Sequence, residues 1–196
     1  MTLDFIFGLC FGAIGALSWK AVQRRMNRQR AAQYDISNTG NQLRFVEEAD
    51  LELSRPINKE AFRKFRIAEE LLEKEKRKWR IFAEVGLGAF IRTSFRGGSE
   101  GKRKRAFQSY NSKRVDFLII DSLGNPAVAI EHQGSGHHLS PDAAARDAVK
   151  KRALQRAGVE LLEVYQDTTD DEFKMSLISA LNRHHDKVKT PRKWSR

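Results

Sequence analysis

Two acids and an amide in the middle of the chain have the types and spacing to do chemistry together. Residues 115–121 read VDFLIID and residues 127–131 read AVAIE, two short apolar runs separated by Ser122-Leu123-Gly124-Asn125-Pro126. Such runs around a turn rich in Gly, Asn and Pro predict a β-hairpin. A turn centred between Leu123 and Gly124 sets Asp116 directly across from Glu131, with Cβ atoms roughly 5 Å apart. Gln133 stays on the same face if the strand continues, because side chains alternate along a strand. Opposed like charges destabilise a sheet, so stability does not explain the pairing. Two carboxylates at that spacing are a natural seat for Mg²⁺, a hard cation held by one or two carboxylates plus substrate phosphates. The alternative is that one acid is solvated at the strand edge while the other pairs with Lys113 or Arg114.

Histidines lie close by. His132 has the opposite parity from Glu131 and should face away, and His137 and His138 are adjacent, so only one easily points at the site. No second ligand pair at zinc spacing accompanies them, which argues against zinc. Lys102-Arg103-Lys104-Arg105 lies among glycines and serines. It reads as part of a basic loop over residues 92–105, suited to a phosphate backbone or simply to solvent.

The elements that must position these residues follow in order. Ser54 or Asn58 can cap a helix whose stripe is Ala61, Phe65, Ala68 and Leu72, ending around residues 76–79. Residues 80–91 (RIFAEVGLGAFI) predict a strand with a glycine-induced bend or bulge. After the hairpin, Ser140-Pro141 opens a helix that Gly158 stops. Residues 159–165 (VELLEVY) predict a strand and 171–181 a last amphipathic helix. The expectation is an α/β protein, a mixed sheet flanked by helices.

The chain has 196 residues, of which 40% are hydrophobic and 31% charged, enough apolar material for one core. Its formal charge of +11 biases it toward polyanions, nucleic acid or an anionic lipid surface. Cys10 is its only cysteine, which excludes a disulfide scaffold or a thiolate metal site. Residues 5–19 carry no charge, and Leu3 and Ala21-Val22 extend the run. That length just meets the roughly 17 to 20 apolar residues of a membrane helix. Lys20, Arg24, Arg25, Arg28 and Arg30 follow, whereas no basic residue precedes it. The positive-inside rule then predicts an N-terminus outside and the remainder in the cytoplasm. A cleaved signal peptide would want a basic start and an A-x-A-like exit, and neither is present. Gly8, Gly12 and Ala16 form a small-residue stripe that would suit a homodimer of such helices, although glycine is common in membrane helices anyway. The expected organisation is an anchor at 3–22, a juxtamembrane linker at 23–54 with a short helix or strand around 43–53, a domain at 55–182 and a basic tail at 183–196.

With these pieces assembled, Lys113-Arg114-Val115-Asp116-Phe117, Ala129-Ile130-Glu131-His132-Gln133-Gly134-Ser135-Gly136-His137 and Arg146-Asp147-Ala148-Val149-Lys150 become recognisable. So does Ala157-Gly158-Val159-Glu160-Leu161-Leu162. Together they resemble the DUF2726 branch of the PD-(D/E)XK, restriction-endonuclease-like nuclease superfamily. The resemblance covers residues 56–165, leaving the apolar start and the basic tail outside. It implies that Asp116 and Glu131 bind a divalent metal, Mg²⁺ or Mn²⁺, that the first-helix Glu60 assists, and that His137 contacts phosphate or a metal-bound water. Gln133 stands where the superfamily has its catalytic lysine and the branch usually has Asp. A glutamine can orient water by hydrogen bonding but carries no charge, and Lys150 on the following helix is placed to supply one.

The expectation is therefore a nuclease-like protein in the bacterial inner membrane, single-pass, hydrolysing nucleic acid with Mg²⁺, DNA ahead of RNA. Asp116, Glu131, Gln133 and Lys150 would be catalytic, and Lys102, Arg103, Lys104, Arg105 and His137 would hold nucleic acid. The alternative is a tethered nucleic-acid-binding or scaffolding domain that keeps the fold without catalysis. A third reading is a membrane-surface adaptor whose acids are incidental.

Overall fold

The computed structural model describes residues 2–76, 78–94, 99–133 and 141–188, side chains excepted at 2–15, 141–143 and 187–188. The chain divides into two compact units, Met1–Ser54 and Arg55–Arg196.

In the first unit, α1 (Thr2–Gln33) is one continuous helix, so helix runs well into the stretch expected as linker. A second helix, α2 (Thr39–Glu47), follows the turn-rich segment. Asn38 explains where it starts: its side-chain oxygen accepts from the backbone N–H groups of Gly40 and Asn41, meeting donors that a first turn leaves unpaired. Asn41 ties the two helices by donating from Nδ2 to the carbonyls of Ala32 and Asp35, at 2.8 and 3.0 Å. Among the described residues no helix is long and apolar enough to cross a membrane. The uncharged run falls mostly on residues 2–15, whose side chains lie outside the description, and Ala16 is exposed.

The second unit runs α3 (Lys59–Lys74), β1 (Arg80–Gly86), α4 (Leu87–Phe90), α5 (Glu100–Tyr110), β2 (Arg114–Ile120), β3 (Pro126–Gln133), α6 (Pro141–Ala157), β4 (Glu160–Tyr165) and α7 (Asp170–Val188). The strands lie in sequence order in one four-stranded sheet. β1, β2 and β3 are antiparallel neighbours and β4 joins β3 in parallel. A parallel return needs a crossover, and α6 provides it.

Local chemistry accounts for the boundaries. Asn58 Oδ1 accepts from Ala61 N at 2.8 Å and starts α3. Gly158 takes φ 75°, a left-handed turn that ends α6 at little steric cost. In the β2–β3 turn, Asp121 Oδ1 accepts from Leu123 N at 2.9 Å and Asn125 N at 2.8 Å, and Gly124 supplies φ 83°. Burial pushes the Asp121 carboxyl up, but the hydrogen bonds from Asn125, Leu123 and His184 outweigh it and leave the net shift downward.

Two expectations need correcting. The strand expected over 80–91 stops at Gly86, and 87–90 form α4. Gly88 lets that turn press on Asn111, since a Cβ there would come within 3.1 Å of the Asn111 side chain. The basic segment 102–105 is not loop: it lies inside α5, where straight-chain Lys and Arg are good helix formers. The last helix also runs past Leu181 to Val188.

Each face of the sheet packs its own layer. One face, with Phe117, Ile119, Val128, Ile130 and Val164, is covered by Ala68 and Leu72 of α3 and by Phe173, Leu177 and Leu181 of α7. The other, with Leu118 and Ala129, is covered by Leu154 of α6, Tyr110 of α5 and Leu87 of α4. Full burial of a Leu or Phe side chain is worth about 1.5 to 3 kcal/mol, so these two layers hold the sheet end that carries the acids.

Candidate functional site

The hairpin register places the acids. Phe117 pairs with Ile130, Leu118 with Ala129 and Ile119 with Val128, before an irregularity at Ile119/Ile120 next to the turn. One step further along this ladder sets Asp116 opposite Glu131, the expected register. There the ladder changes character. Asp116 Oδ2 accepts the backbone N–H of His132 at 2.6 Å, so a side chain takes a donor that a continuing strand would pair with backbone.

Glu131 is 6% exposed. Its Oε2 accepts from Lys150 Nζ at 2.6 Å, while Oε1 is buried with no hydrogen-bond partner among the described residues. Lys150 also lies 3.6 Å from Asp147 one turn earlier on α6. Burial pushes the Glu131 carboxyl up to about 7; the Lys150 hydrogen bond and charge oppose the rise, and the charges of Asp116 and Asp147 add to it. Lys150 thus arrives from the helix layer at the acid it was expected to accompany.

Gln133 ends β3 on the same face as Glu131. Its Nε2 donates to Glu163 Oε1 at 3.3 Å, and Lys151 Nζ lies 2.7 Å from that oxygen. His132 alternates to the opposite face, as its parity required. There it lines a hollow of about 450 Å³ with Glu60, Arg63, Lys64, Thr168 and Asp170. Lys64 is buried in the wall of this hollow, donating to Thr168 O at 2.7 Å and Asp170 Oδ1 at 3.1 Å.

Glu60 is therefore not brought to Asp116 and Glu131. It is exposed in the first turn of α3, the helix that packs on the His132 face, and among the described residues no three His, Cys, Asp or Glu side chains group as a metal-holding set. Lys102, Arg103, Lys104 and Arg105 are exposed on α5, which packs against α4 and α6 on the Lys150 side of the sheet. His137 lies outside the described residues. Sequence reasoning missed Glu163, Lys151 and Asp147. The adjacent lysines at 150 and 151 were the available signal, but the β3–β4 register that gives them partners depends on a crossover rather than a turn.

The fold and site define a mixed α/β domain on a four-stranded sheet, with a buried carboxylate–lysine pair between β3 and α6 and a second carboxylate across the hairpin. The chain belongs to the family described as "Protein of unknown function (DUF2726)", whose model matches residues 63–181. It is 36% identical over 166 residues to an "Uncharacterized protein" of Haemophilus influenzae, covering 81% of this chain and 82% of that one. It is also 37% identical over 103 residues to "Uncharacterized protein y4bI" of Sinorhizobium fredii, covering 53% of this chain and 68% of that one. No solved structure matches.

Proposed function

We propose that the domain is a divalent-metal-dependent phosphodiesterase acting on nucleic acid, of the PD-(D/E)XK kind, tethered by α1 to a bacterial inner membrane. The observation that carries this reading is Glu131 Oε1, a buried carboxylate oxygen without a partner among the described residues, on the acid that faces Asp116. A buried unpaired acceptor is costly, and a hard cation shared with Asp116 would relieve it. Two carboxylates suit Mg²⁺ or Mn²⁺, which keep most of their other positions for water and phosphate.

A metal bound there would polarise a phosphate oxygen and acidify a water. The chain's own residues would do the rest. Asp116 stays fixed by the His132 N–H, so its second oxygen keeps a constant direction. Lys150, now paired with Glu131, would be within reach to supply the positive charge that Gln133 lacks. Gln133 orients the water. The exposed cations of α5, on the α6 side of the sheet, hold the flanking backbone through counterion release.

The decisive experiment incubates the full chain, in mild detergent, with Mg²⁺ or Mn²⁺ and with linear duplex DNA, single-stranded DNA or RNA. Asp116→Asn and Glu131→Gln run in parallel. Metal-dependent cleavage lost in both variants is the expected result. Calorimetry with no divalent binding at millimolar metal would remove the hydrolytic reading. One observation favours a second reading, a tethered binding domain without catalysis: Lys150 already occupies one Glu131 oxygen, and no lysine stands at position 133. Salt-sensitive nucleic-acid binding that persists with metal, without cleavage, would select it. The tether has its own test, since alkaline carbonate extraction should leave the full-length chain in the membrane fraction and release would refute the anchor.

A further inference from the structure

Glu163 belongs to none of the sequence motifs discussed above, yet it stands in register beside Glu131 across the parallel β3–β4 pair. Its Oε1 accepts from Gln133 Nε2 at 3.3 Å and lies 2.7 Å from Lys151 Nζ. The hydrogen bond to Glu163 raises the Lys151 ammonium above its ordinary value. A carboxylate paired with an ammonium accepts and does not donate. The end of the Gln133 amide turned toward Glu163 is therefore its NH₂, which leaves the carbonyl oxygen as the end that can meet a water beside Glu131.

We propose that Glu163 is a positioning residue: it fixes the Gln133 amide so that Gln133 presents an acceptor to the reacting water, with Lys151 holding Glu163 in place. This rests on the hydrolytic reading and adds a direction to it. A lysine at position 133 would donate, whereas a glutamine oriented this way takes a hydrogen bond from the water and so turns one of its protons away from the phosphate. It follows that Gln133→Lys would not restore an ordinary lysine site. The new ammonium would meet Glu163 before it met a phosphate, and only together with Glu163→Gln would it be released toward the substrate.

The test needs no catalysis to begin. In the full chain with ¹⁵N-labelled glutamine side chains, assigned by Gln133→Glu, the Gln133 amide protons should be shifted and protected from exchange. Glu163→Ala should return them to the values of a solvated glutamine. Glu163→Gln should retain the shift, because a carbonyl at 163 still accepts although its charge is gone. In the Mg²⁺-dependent cleavage of a single-stranded oligonucleotide, Glu163→Ala should lower kcat by about tenfold to a hundredfold, as supporting residues around metal sites do. KM should be unchanged, and Glu163→Gln should recover most of the loss. Equal loss in both variants would assign the effect to the charge of Glu163 and overturn the positioning role, as would an unshifted Gln133 amide in the wild type. If the wild type cleaves nothing, the hydrolytic reading fails by itself and the spectra decide: loss in Glu163→Ala with retention in Glu163→Gln supports the positioning role, and no change in Glu163→Ala overturns it.

Discussion

Replacing Glu131 by glutamine should change how the stability of the metal-free domain responds to pH. In the folded chain burial raises this carboxyl from its ordinary value of 4.5 to about 7, with Lys150 and Asp147 of α6 and Asp116 of β2 facing it. A group whose folded pKa lies above its unfolded value adds stability that is fully present below the unfolded value and is lost as pH rises through the folded one. Each tenfold change in proton affinity is worth about 1.4 kcal/mol, so this rise corresponds to about 3 kcal/mol lost between roughly pH 4.5 and 7. The depressed carboxyls of Asp121 and Asp170 act in the opposite sense, and only below the ordinary carboxylate range, so they do not enter that window. Urea unfolding at pH 5 and pH 8 in chelator measures the difference. The wild type should lose about 2 to 3 kcal/mol more than Glu131→Gln between the two pH values. The glutamine carbonyl can still accept from Lys150, so the variant should fold. On the proposed hydrolytic reading, added Mg²⁺ should restore stability at pH 8 to the wild type alone, because the variant lacks one of the two carboxylates that would hold the cation. The same pH slope in both proteins would refute the assignment of the buried proton to Glu131.

Three further outcomes test neighbouring contacts. Lys150→Met should cost about 3 kcal/mol or more at pH 8, where it leaves a buried carboxylate uncompensated, and clearly less at pH 5, where Glu131 holds a proton; equal costs in urea unfolding would mean that Lys150 acts through packing alone. Asp116→Asn keeps an acceptor for the His132 N–H and should stay close to wild-type stability, whereas Asp116→Ala orphans that donor at a cost of about 1 to 3 kcal/mol; Mg²⁺ calorimetry should show binding lost in both. Removing two α5 cations together, Lys102→Ala with Arg103→Ala, should lower the slope of log affinity against log salt for duplex DNA by about 0.9 per lost phosphate contact, read by fluorescence anisotropy, and an unchanged slope would take α5 out of the interface.

What could be read in advance divides along local and non-local lines. The hairpin register was legible because the turn is short: Ser122 to Pro126 allows few alignments, and one irregularity at Ile119/Ile120 beside it still leaves Phe117 opposite Ile130. The α3 stripe, its Asn58 cap and the Gly158 stop were legible for the same reason, since each depends on residues within a few positions. The segment 99–110 was not. EGKRKRAFQSY has no strong apolar face, and its basic run among small residues resembles a loop until Tyr110 is seen packed with Leu87, Leu118 and Leu154 in the helix-covered layer. Tertiary burial of one aromatic side chain, beyond the basic run itself, ties the helix to the core.

The site itself was half legible for a related reason. Asp116 and Glu131 meet across a turn, whereas Glu163 meets Glu131 across a crossover that includes all of α6, and nothing local sets that register. Glu60 was misplaced because a motif match carries no information about which face of the sheet its helix will cover. The adjacent lysines show what the crossover adds. Neighbouring residues on a helix point about 100° apart, so Lys150 and Lys151 reach different strands, the first meeting Glu131 on β3 and the second Glu163 on β4. Three acids lie side by side on β2, β3 and β4, and α6 supplies a cation to two of them. The remaining acid, Asp116, is held by a backbone N–H instead. Two of the three acids are therefore already paired with an ammonium, and a divalent cation drawn to Glu131 would compete with Lys150 for that carboxylate. Metal affinity should then rise when Lys150 is removed even as cleavage falls, a pairing of opposite effects that a purely structural lysine would not produce.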